Sequence, residues 1–289
     1  MYIHAVSPFI CDPVDEIDGL KADLKNYTNF FFRRVNKFIL LSLLGVHRCL
    51  HNREFDKSIA VFLATENGNL GDTENVLHQM YRENSFPKPF NFINTMSNTA
   101  SFYVAQSLKS LGRSITVSSK NVSFERALGL AMVDFKLGQI KEALVGGVDE
   151  AVISREYFVK KYDQSYHDIK LVEGSSWLYC TADSAGALGK VDDVRTFRDR
   201  DEAIEWTRNN AGTGATIAFG ILMTPQEKEI WINACTPVEE LDYIGMNGFY
   251  DTAAAYAVSA FFATCNRKTL VHINRNTQGQ YVIILCSRG

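Results

Sequence analysis

Cysteine and histidine side chains most often carry nucleophilic or metal chemistry in proteins, and this chain has six of each. The cysteines are scattered, and none belongs to a Cys-x-x-Cys pair or has a histidine partner at the spacing of metal ligands. They are Cys11, Cys49, Cys180, Cys235, Cys265 and Cys286. The spacing therefore predicts no metal site and six free thiols, as expected of a protein kept in a reducing compartment.

Polar and glycine-containing segments follow one another in a definite order along the chain. They are residues 98–101 (Asn-Thr-Ala-Ser), 116–123 (Thr-Val-Ser-Ser-Lys-Asn-Val-Ser) and 143–150 (Ala-Leu-Val-Gly-Gly-Val-Asp-Glu). Shorter segments that fit the same series are residues 33–37, 172–175, 248–255 and 276–279. The series resembles the β-ketoacyl synthases of the thiolase superfamily, in which an Asn-containing helix precedes a strand, a nucleophile turn, a helix and a strand with a glycine pair. The resemblance is closest over residues 1–190.

The resemblance implies that the catalytic positions are lost. Asn121 stands where the ketosynthases carry the nucleophilic cysteine, and an amide cannot accept an acyl group from a carrier protein. Cys235 stands where the first catalytic histidine would be, Phe249 replaces the second histidine, and Ile244 replaces a lysine. Since the two histidines normally polarise the thioester carbonyl, these substitutions predict a chain without catalytic activity of its own.

The residues at these positions also have ordinary structural interpretations. Asn121 is a good helix N-cap, because a helical pattern begins at Phe124. Cys235 has no basic motif beside it and is predicted to be a buried, inert thiol. The histidines lie outside the motif positions and are predicted to be surface or structural residues. They are His4, His47, His51, His78, His167 and His272.

A ketosynthase-like chain that keeps its dimer interface but lacks the cysteine resembles the chain length factors of type II polyketide synthases. The closest resemblance is to those of bacterial aryl polyene clusters. It implies a heterodimer, or a dimer of heterodimers, with a catalytic ketosynthase. The strand near residues 114–119 would pair across the two-fold axis, and the interface positions implied are Asn98, Thr116 and Ser118.

In this family the inactive subunit closes the far end of the tunnel that holds the growing acyl chain. The corresponding segment here is residues 90–96 (Phe-Asn-Phe-Ile-Asn-Thr-Met), and the tunnel-floor residues predicted from it are Phe92, Ile93 and Met96. Their bulk would limit product length. The alternative, that they are ordinary core residues, stays open. No cofactor is implied for this chain, because the acyl carrier protein with its phosphopantetheine serves the partner.

The residues leave two other functions open. One is a degenerate decarboxylase of malonyl-carrier protein, although relatives that keep this activity also keep the two histidines. The other is a free-standing, acyl-binding homodimer, which composition alone does not distinguish from a heterodimer.

Docking of an acidic acyl carrier protein at Arg33, Arg34 and Lys37 is a further hypothesis, but so short a basic run is more typical of a solvated face.

The overall composition narrows the class of protein. The 289 residues are 46% hydrophobic and 22% charged, with a formal net charge of −3. This composition excludes a disordered chain, and the acidic balance argues against a general nucleic-acid or anionic-membrane binder. No apolar stretch reaches the roughly 18 residues of a spanning helix, and the N-terminus lacks the pattern of a signal peptide. We therefore expect a cytoplasmic protein without a membrane span.

Apolar runs of strand length alternate with helical patterns, which predicts an α/β protein. Strands are predicted near residues 58–64, 114–118, 142–148, 176–181 and 281–286. Helices are predicted after Asp72 as an N-cap and near residues 98–111, 124–137, 199–209 and 253–264. The resemblance implies a thiolase-like fold, layered α-β-α-β-α with two mixed, largely parallel sheets, and truncated relative to full ketosynthases. Residues 1–190 would form the N-terminal half, and a shortened C-terminal half (191–289) would pack on it without an independent linker.

Overall fold

Strands and helices alternate along the chain in the computed structural model, which describes residues 1–14, 16–30, 32–33, 35–162, 168–212, 214–237 and 239–289. The strands are β1 (Tyr2–Ser7), β2 (Ile10–Cys11), β3 (Ala60–Ala64), β4 (Ser114–Val117), β5 (Glu142–Asp149), β6 (Glu173–Thr181), β7 (Gly189–Phe197), β8 (Thr216–Phe219), β9 (Glu239–Glu240), β10 (Thr269–Arg275) and β11 (Tyr281–Arg288). The helices are α1 (Asp18–Lys25), α2 (Lys37–Cys49), α3 (Leu70–Tyr81), α4 (Pro89–Asn94), α5 (Asn98–Leu108), α6 (Ser123–Lys136), α7 (Arg155–Lys161), α8 (Arg200–Ala211), α9 (Pro225–Cys235), α10 (Tyr243–Asn247) and α11 (Ala254–Thr264). Arg34 and His167, which the sequence analysis named, lie outside the described residues.

The strands form a mixed sheet in the order β4-β3-β5-β6-β1-β7-β11-β10-β8-β9, with β2 attached to β6. The order contains the same five-strand arrangement twice. In the first half, β4, β3 and β5 run parallel, and β5, β6 and β1 run antiparallel. In the second half, β9, β8 and β10 run parallel, and β10, β11 and β7 run antiparallel. The halves meet where β1 pairs with β7, at Tyr2–Lys190 and Ile3–Gly189.

The two predicted mixed sheets are therefore present as two five-strand halves, which this short pairing joins into one sheet. The strands are less parallel than expected. The physical reason is that β6, β1, β7 and β11 lie side by side as antiparallel neighbours, which need no crossover helix between them. The predicted boundary between residues 190 and 191 falls within β7, the first strand of the second half.

Helices cover both faces of each half and give the predicted α-β-α-β-α layering. α2 and α5 pack on the outer face of the first half, and α8 and α9 cover the second half. α6 and α11 form the middle layer: α6 contacts β3 and β5 on one side and β7 and β11 on the other. The apolar pattern of α6 fits this position, because Ala127, Leu128 and Ala131 are completely buried. Leu130, Val133 and Leu137 form a second apolar face, which is exposed.

Two helix boundaries differ from the sequence prediction. Asp72 is not an N-cap, because α3 begins two residues earlier and Asn69 occupies the N-cap position. Asp72 lies instead in the first turn, where a negative charge complements the helix dipole. α5 ends before Gly112, because Lys109 adopts a left-handed conformation with a φ of 52° and interrupts the helix.

Candidate functional site

Asn121 is buried in the turn between β4 and α6. It is not the N-cap that the sequence predicted, because Val122 occupies that position and no side chain caps α6. Lys120 and Asn121 have positive φ angles of 29° and 68°. Residues with a side chain enter this left-handed region only at a cost in free energy, so the turn needs support. Glu66 supplies it: its Oε2 accepts hydrogen bonds from the Asn121 N–H and from the Ser123 hydroxyl, both at 3.0 Å.

The Asn121 side chain belongs to a chain of buried and half-buried hydrogen bonds. Its Nδ2 donates to the Tyr162 hydroxyl at 2.9 Å, and that hydroxyl donates to Asp251 Oδ1 at 3.1 Å. Asp251 Oδ2 accepts a bond of 2.7 Å from Asn67 Nδ2, and Asn67 follows Glu66 in the sequence. The path of hydrogen bonds therefore starts at Glu66, which holds the turn, and ends at Asn67, its neighbour in the sequence. We call this closed set (Glu66, Asn67, Asn121, Tyr162 and Asp251) the polar circuit.

Aromatic rings fill the space beside the polar circuit. The centroid of the Phe249 ring lies 5.4 Å from that of Tyr162 and 5.5 Å from that of Phe158. Phe158 and Tyr162 are themselves 4.9 Å apart. Ile244 belongs to the same hydrophobic cluster as these residues. Asn121 and Phe249, two of the positions that the resemblance compares with catalytic residues, therefore lie beside the same side chain, Tyr162.

A second buried polar group contacts the Asn121 backbone. Asn274 Nδ2 donates to the Asn121 carbonyl and to Glu125 Oε1, both at 2.7 Å. His272 Nδ1 lies 3.8 Å from Glu125 Oε1, and its Nε2 lies 3.0 Å from the Tyr243 hydroxyl. Burial lowers the pKa of His272 to about 3 and raises the pKa of Glu125 to about 7. At pH values between about 3 and 7 both side chains are therefore uncharged, which suits their complete burial.

Asp149 anchors the residues that follow β3. Its Oδ1 accepts hydrogen bonds from the Thr65 hydroxyl at 2.7 Å and from the N–H groups of Glu66 and Asn67 at 2.9 and 3.1 Å. Burial raises the pKa of Asp149 to about 7, and the nearby Asp251 adds to the shift. Asp149 thus holds the segment on which the polar circuit depends.

Sequence reasoning missed most of these polar side chains. Asp149 carried a usable signal, because it ends an otherwise apolar strand and a buried carboxyl group must find donors. Asn274 carried a similar signal within the apolar run of β10. Tyr162 and Asp251 carried none, since nothing in their local sequence distinguishes them from surface residues.

Cys235 does not lie with Asn121, contrary to the sequence prediction. It is the last residue of α9, a helix that begins at a capping box formed by Thr224 and Glu227. There it lines a cavity of about 500 Å³ together with Arg208 on α8. Burial raises the pKa of the Cys235 thiol, and a helix C-terminus disfavours a thiolate, so the thiol is not activated.

Gly220, immediately after β8, lies against Asn274. A Cβ at this position would overlap Asn274 Oδ1. The absence of a side chain therefore lets Asn274 reach the Asn121 carbonyl.

The predicted tunnel-floor residues lie on the surface of the isolated chain. Phe92, Ile93 and Met96 are 60%, 44% and 48% exposed, on α4 and immediately after it. This exposure contradicts the alternative that they are ordinary core residues.

The predicted interface residues lie around β4. The Thr116 hydroxyl donates to the Ser101 hydroxyl at 2.9 Å, and the Ser118 hydroxyl donates to the Glu66 carbonyl at 3.2 Å. Asn98 is exposed at the start of α5, which packs against β4. Within the described ranges β4 pairs with β3 alone, so its outer edge is free.

Large apolar side chains are exposed on and between the helices that precede and follow β4 in the chain, and of these helices α5 and α6 pack against it. They are Leu77, Met80, Tyr81, Phe86, Phe90, Phe92, Ile93, Met96 and Phe102 on the α3–α5 side, and Leu130, Val133 and Leu137 on and after α6. We call the free edge and these side chains the β4 face. Because monomeric proteins rarely expose so many large apolar groups around one strand, the β4 face has the character of a protein interface.

The basic segment at residues 33–37 is not a solvated face throughout. Lys37 Nζ forms an ion pair with the completely buried Glu173 and donates to the Val14 carbonyl at 3.0 Å. Arg33 is exposed, and Arg34 lies outside the described residues. Lys37 therefore serves as an internal counter-ion and is not available to an acidic partner.

Over the part of the chain that the structure describes, no group of three His, Cys, Asp or Glu side chains is placed to hold a metal ion. Nor does any helix in that part combine the length and apolar character needed to cross a membrane. All six cysteines are free thiols, as predicted.

Several solved structures share this fold. One is described as a type II PKS acyl-carrier protein in complex with its ketosynthase bound to the hexaketide (TM-score 0.75, 13% identity, covering 100% of this chain and 99% of that chain). Another is the ishigamide ketosynthase/chain length factor (TM-score 0.75, 16% identity, covering 99% of each chain). A third is the PfaC keto synthase-chain length factor (TM-score 0.65, 11% identity, covering 100% of this chain and 36% of that chain). At these identities the likeness shows the thiolase-like fold alone.

No curated protein sequence matches the chain significantly. The family described as "Beta-ketoacyl synthase, N-terminal domain" matches residues 14–161, which is just over half of the chain. The matched region contains β3 to β5, the turn at Asn121 and the β4 face. The chain therefore belongs to the β-ketoacyl synthase family.

Proposed function

We propose that the chain is the non-catalytic partner of an active ketosynthase, in the manner of a chain length factor of a type II polyketide synthase. The observation that carries this proposal is the side chain of Asn121. It occupies the start of α6, where the family resemblance places the nucleophile, and it acts there as a hydrogen-bond donor to Tyr162. An amide in this position has no route to an acyl-enzyme.

The surroundings of Asn121 support the same conclusion. Phe249 and Ile244 are buried apolar residues, and neither can polarise a thioester carbonyl. His272 lies beside Glu125 in this region, but its imidazole is completely buried and hydrogen-bonded to Tyr243. These features also weigh against a malonyl decarboxylase.

The β4 face supports a partner subunit. A free strand edge flanked by exposed apolar groups can extend the sheet of another chain and bury those groups at once. We propose that an active ketosynthase occupies this face, in a cytoplasmic heterodimer or a dimer of heterodimers. The partner would supply the cysteine and the histidines and would receive substrate from an acyl carrier protein with its phosphopantetheine.

Phe92, Ile93 and Met96 are exposed members of the β4 face, which supports a role for them at the end of a tunnel that crosses the interface. We propose that their bulk stops the growing chain, with a conjugated aryl polyene acid as the product class. Replacement of Phe92 or Met96 by Ala is expected to lengthen the product without abolishing synthesis. Product length measured by mass spectrometry checks this, and an unchanged length in both variants with intact complexes contradicts it.

The proposed function is tested by co-expression with each complete ketosynthase of the source organism. We expect one of them to form a stable heterodimer, measured by light scattering after gel filtration. Condensation and malonyl decarboxylation should be absent from this chain alone and present in the complex. A stable homodimer that binds none of these ketosynthases, or activity of the isolated chain, contradicts the proposal.

A further inference from the structure

We propose that Glu66 is a positioning residue that holds the outer end of β4 in the shape that a partner subunit recognises. This inference rests on the proposed function. It assigns a role at the interface to a residue outside the four replaced catalytic positions.

The backbone of Glu66 extends the pairing of β3 with β4 beyond its last register. The Thr65 N–H donates to the Val117 carbonyl at 3.0 Å, and the Ser118 hydroxyl then donates to the Glu66 carbonyl at 3.2 Å. The Glu66 N–H is itself fixed by Asp149 Oδ1 at 2.9 Å. The end of β4 is therefore attached to a segment that is anchored in the core.

The side chain of Glu66 holds the other end of the same turn. Its Oε2 accepts from the Asn121 N–H and from the Ser123 hydroxyl, and Ser123 Oγ accepts from the Ser119 N–H at 2.9 Å. One residue thus contacts the turn near both of its ends. Between these contacts lie Lys120 and Asn121, the two residues with left-handed φ angles.

This turn is part of the surface that a partner would meet. Ser118 and Lys120 are exposed and directly follow the free edge of β4. Without the Glu66 carboxylate, Asn121 and Ser123 lose the bonds that hold the turn with its two left-handed residues, so the turn can relax and the strand end can fray. Glu66 therefore connects the polar circuit to the geometry of the β4 face.

The test compares Glu66→Ala with Glu66→Gln, because a glutamine Oε1 can still accept both hydrogen bonds. In the isolated chain, amide hydrogen exchange over residues 114–122 should become faster in Glu66→Ala and return close to the wild-type rate in Glu66→Gln. In the complex with the ketosynthase identified by co-expression, Glu66→Ala should weaken binding about tenfold, as expected for loss of hydrogen bonds to a charged group. Glu66→Gln should restore binding, and Glu205→Ala, an exposed change on α8, serves as the control.

Two results overturn the inference. One is unchanged exchange over residues 114–122 in Glu66→Ala. The other is faster exchange with unchanged affinity, which would make Glu66 a structural residue without influence on the partner. If the wild-type chain binds no ketosynthase, the proposed function fails on its own, and the exchange measurement still decides whether Glu66 holds the turn.

Discussion

The two ends of the sheet contrast with each other, although the two halves repeat one strand arrangement. β4 at one end has four uncharged residues, a free outer edge and exposed apolar neighbours. β9 at the other end has only Glu239 and Glu240, and Glu239 forms an ion pair with Arg267 at 3.3 Å. Short and charged edge strands resist pairing with other chains, whereas a neutral edge permits it. The same fold is therefore open to a partner at one end and protected at the other.

The carboxyl ends of β3 and β8 differ in a related way. After β3, residues 65–67 are held by Asp149 and supply the polar circuit. After β8, Gly220 offers no side chain and makes room for Asn274. The first half therefore holds the turn beside the interface, and the second half packs against it.

The largest effect is expected from charges placed on the β4 face. The double variant Phe92→Asp with Met96→Asp should lose the ketosynthase complex, because burial of two carboxylates and removal of two apolar contacts costs roughly 2–4 kcal/mol or more. The dissociation constant measured by sedimentation checks this. Met246→Asp, at an exposed position on α10 in the second half, is the matched control and should bind normally. Equal affinity of the double variant and the control would remove the distinction between the two ends of the sheet.

A smaller effect is expected from single hydroxyl groups in the two halves. Tyr162→Phe leaves Asn121 Nδ2 and Asp251 Oδ1 without their shared partner and should cost about 1–3 kcal/mol of unfolding free energy. Tyr281→Phe removes one bond to Glu227, which keeps its contact with Arg275, so a cost of about 1 kcal/mol is expected. Urea unfolding of both variants measures the difference. Equal costs would mean that the polar circuit is no more cooperative than an ordinary hydrogen bond.

Carboxyl groups in the two halves should respond to pH with opposite signs. The pKa of Glu125 is raised by burial from 4.5 to about 7, so its contribution to stability is complete below pH 4.5 and is lost as pH rises through 7. Burial also acts on Glu227, but hydrogen bonds from Thr224 and Tyr281 and the charge of Arg275 outweigh it and lower its pKa. Its contribution is complete above pH 4.5 and is lost as pH falls.

The corresponding variants are Glu125→Gln and Glu227→Gln. In wild type, Glu125 should make the unfolding free energy fall with pH by up to about 1.4 kcal/mol per pH unit between pH 4.5 and 7, and Glu125→Gln should remove this fall. Glu227→Gln should instead reduce the loss of stability at acidic pH. Unfolding free energies measured over this range decide the matter. A pH slope unchanged by Glu125→Gln would show that Glu125 is already ionised in the folded chain.

The smallest effect is expected at the protected edge. Glu239→Thr with Glu240→Val makes β9 uncharged like β4 and removes two ion pairs, Glu239 with Arg267 and Glu240 with Lys228, each worth about 0–1 kcal/mol. Weak self-association at high concentration should follow, measured by sedimentation. If the variant self-associates no more than wild type, the short length of β9, and not its charge, protects this edge.

Much of the fold could be predicted from the sequence because its signals are local. α6 and α11 were predicted to within one residue at each end, from apolar periodicity and, for α6, the glycine that follows it. The strands β3, β4, β5 and β11 were predicted from short apolar runs, with errors of at most two residues at their ends. Such signals extend over three or four neighbouring residues, so they identify elements but not their neighbours in space.

The same limit explains the error at Cys235. The resemblance places Cys235 where the first catalytic histidine would be, but the capping box at Thr224 begins a helix whose last residue is Cys235. Asn121 and Phe249, which the resemblance assigns to a common site, both contact Tyr162 in the structure.

By itself, the sequence determined the class of fold and the uncharged character of β4, and through the resemblance it predicts that Asn121 stands in the place of a nucleophile. Only the tertiary structure decided that Tyr162 and Asn274 contact Asn121, that Tyr162 links it to Asp251, and that Phe92 and Met96 are exposed. The reason is physical. Side-chain type and local conformation are written in neighbouring residues, whereas strand order brings together groups that are as many as 184 positions apart.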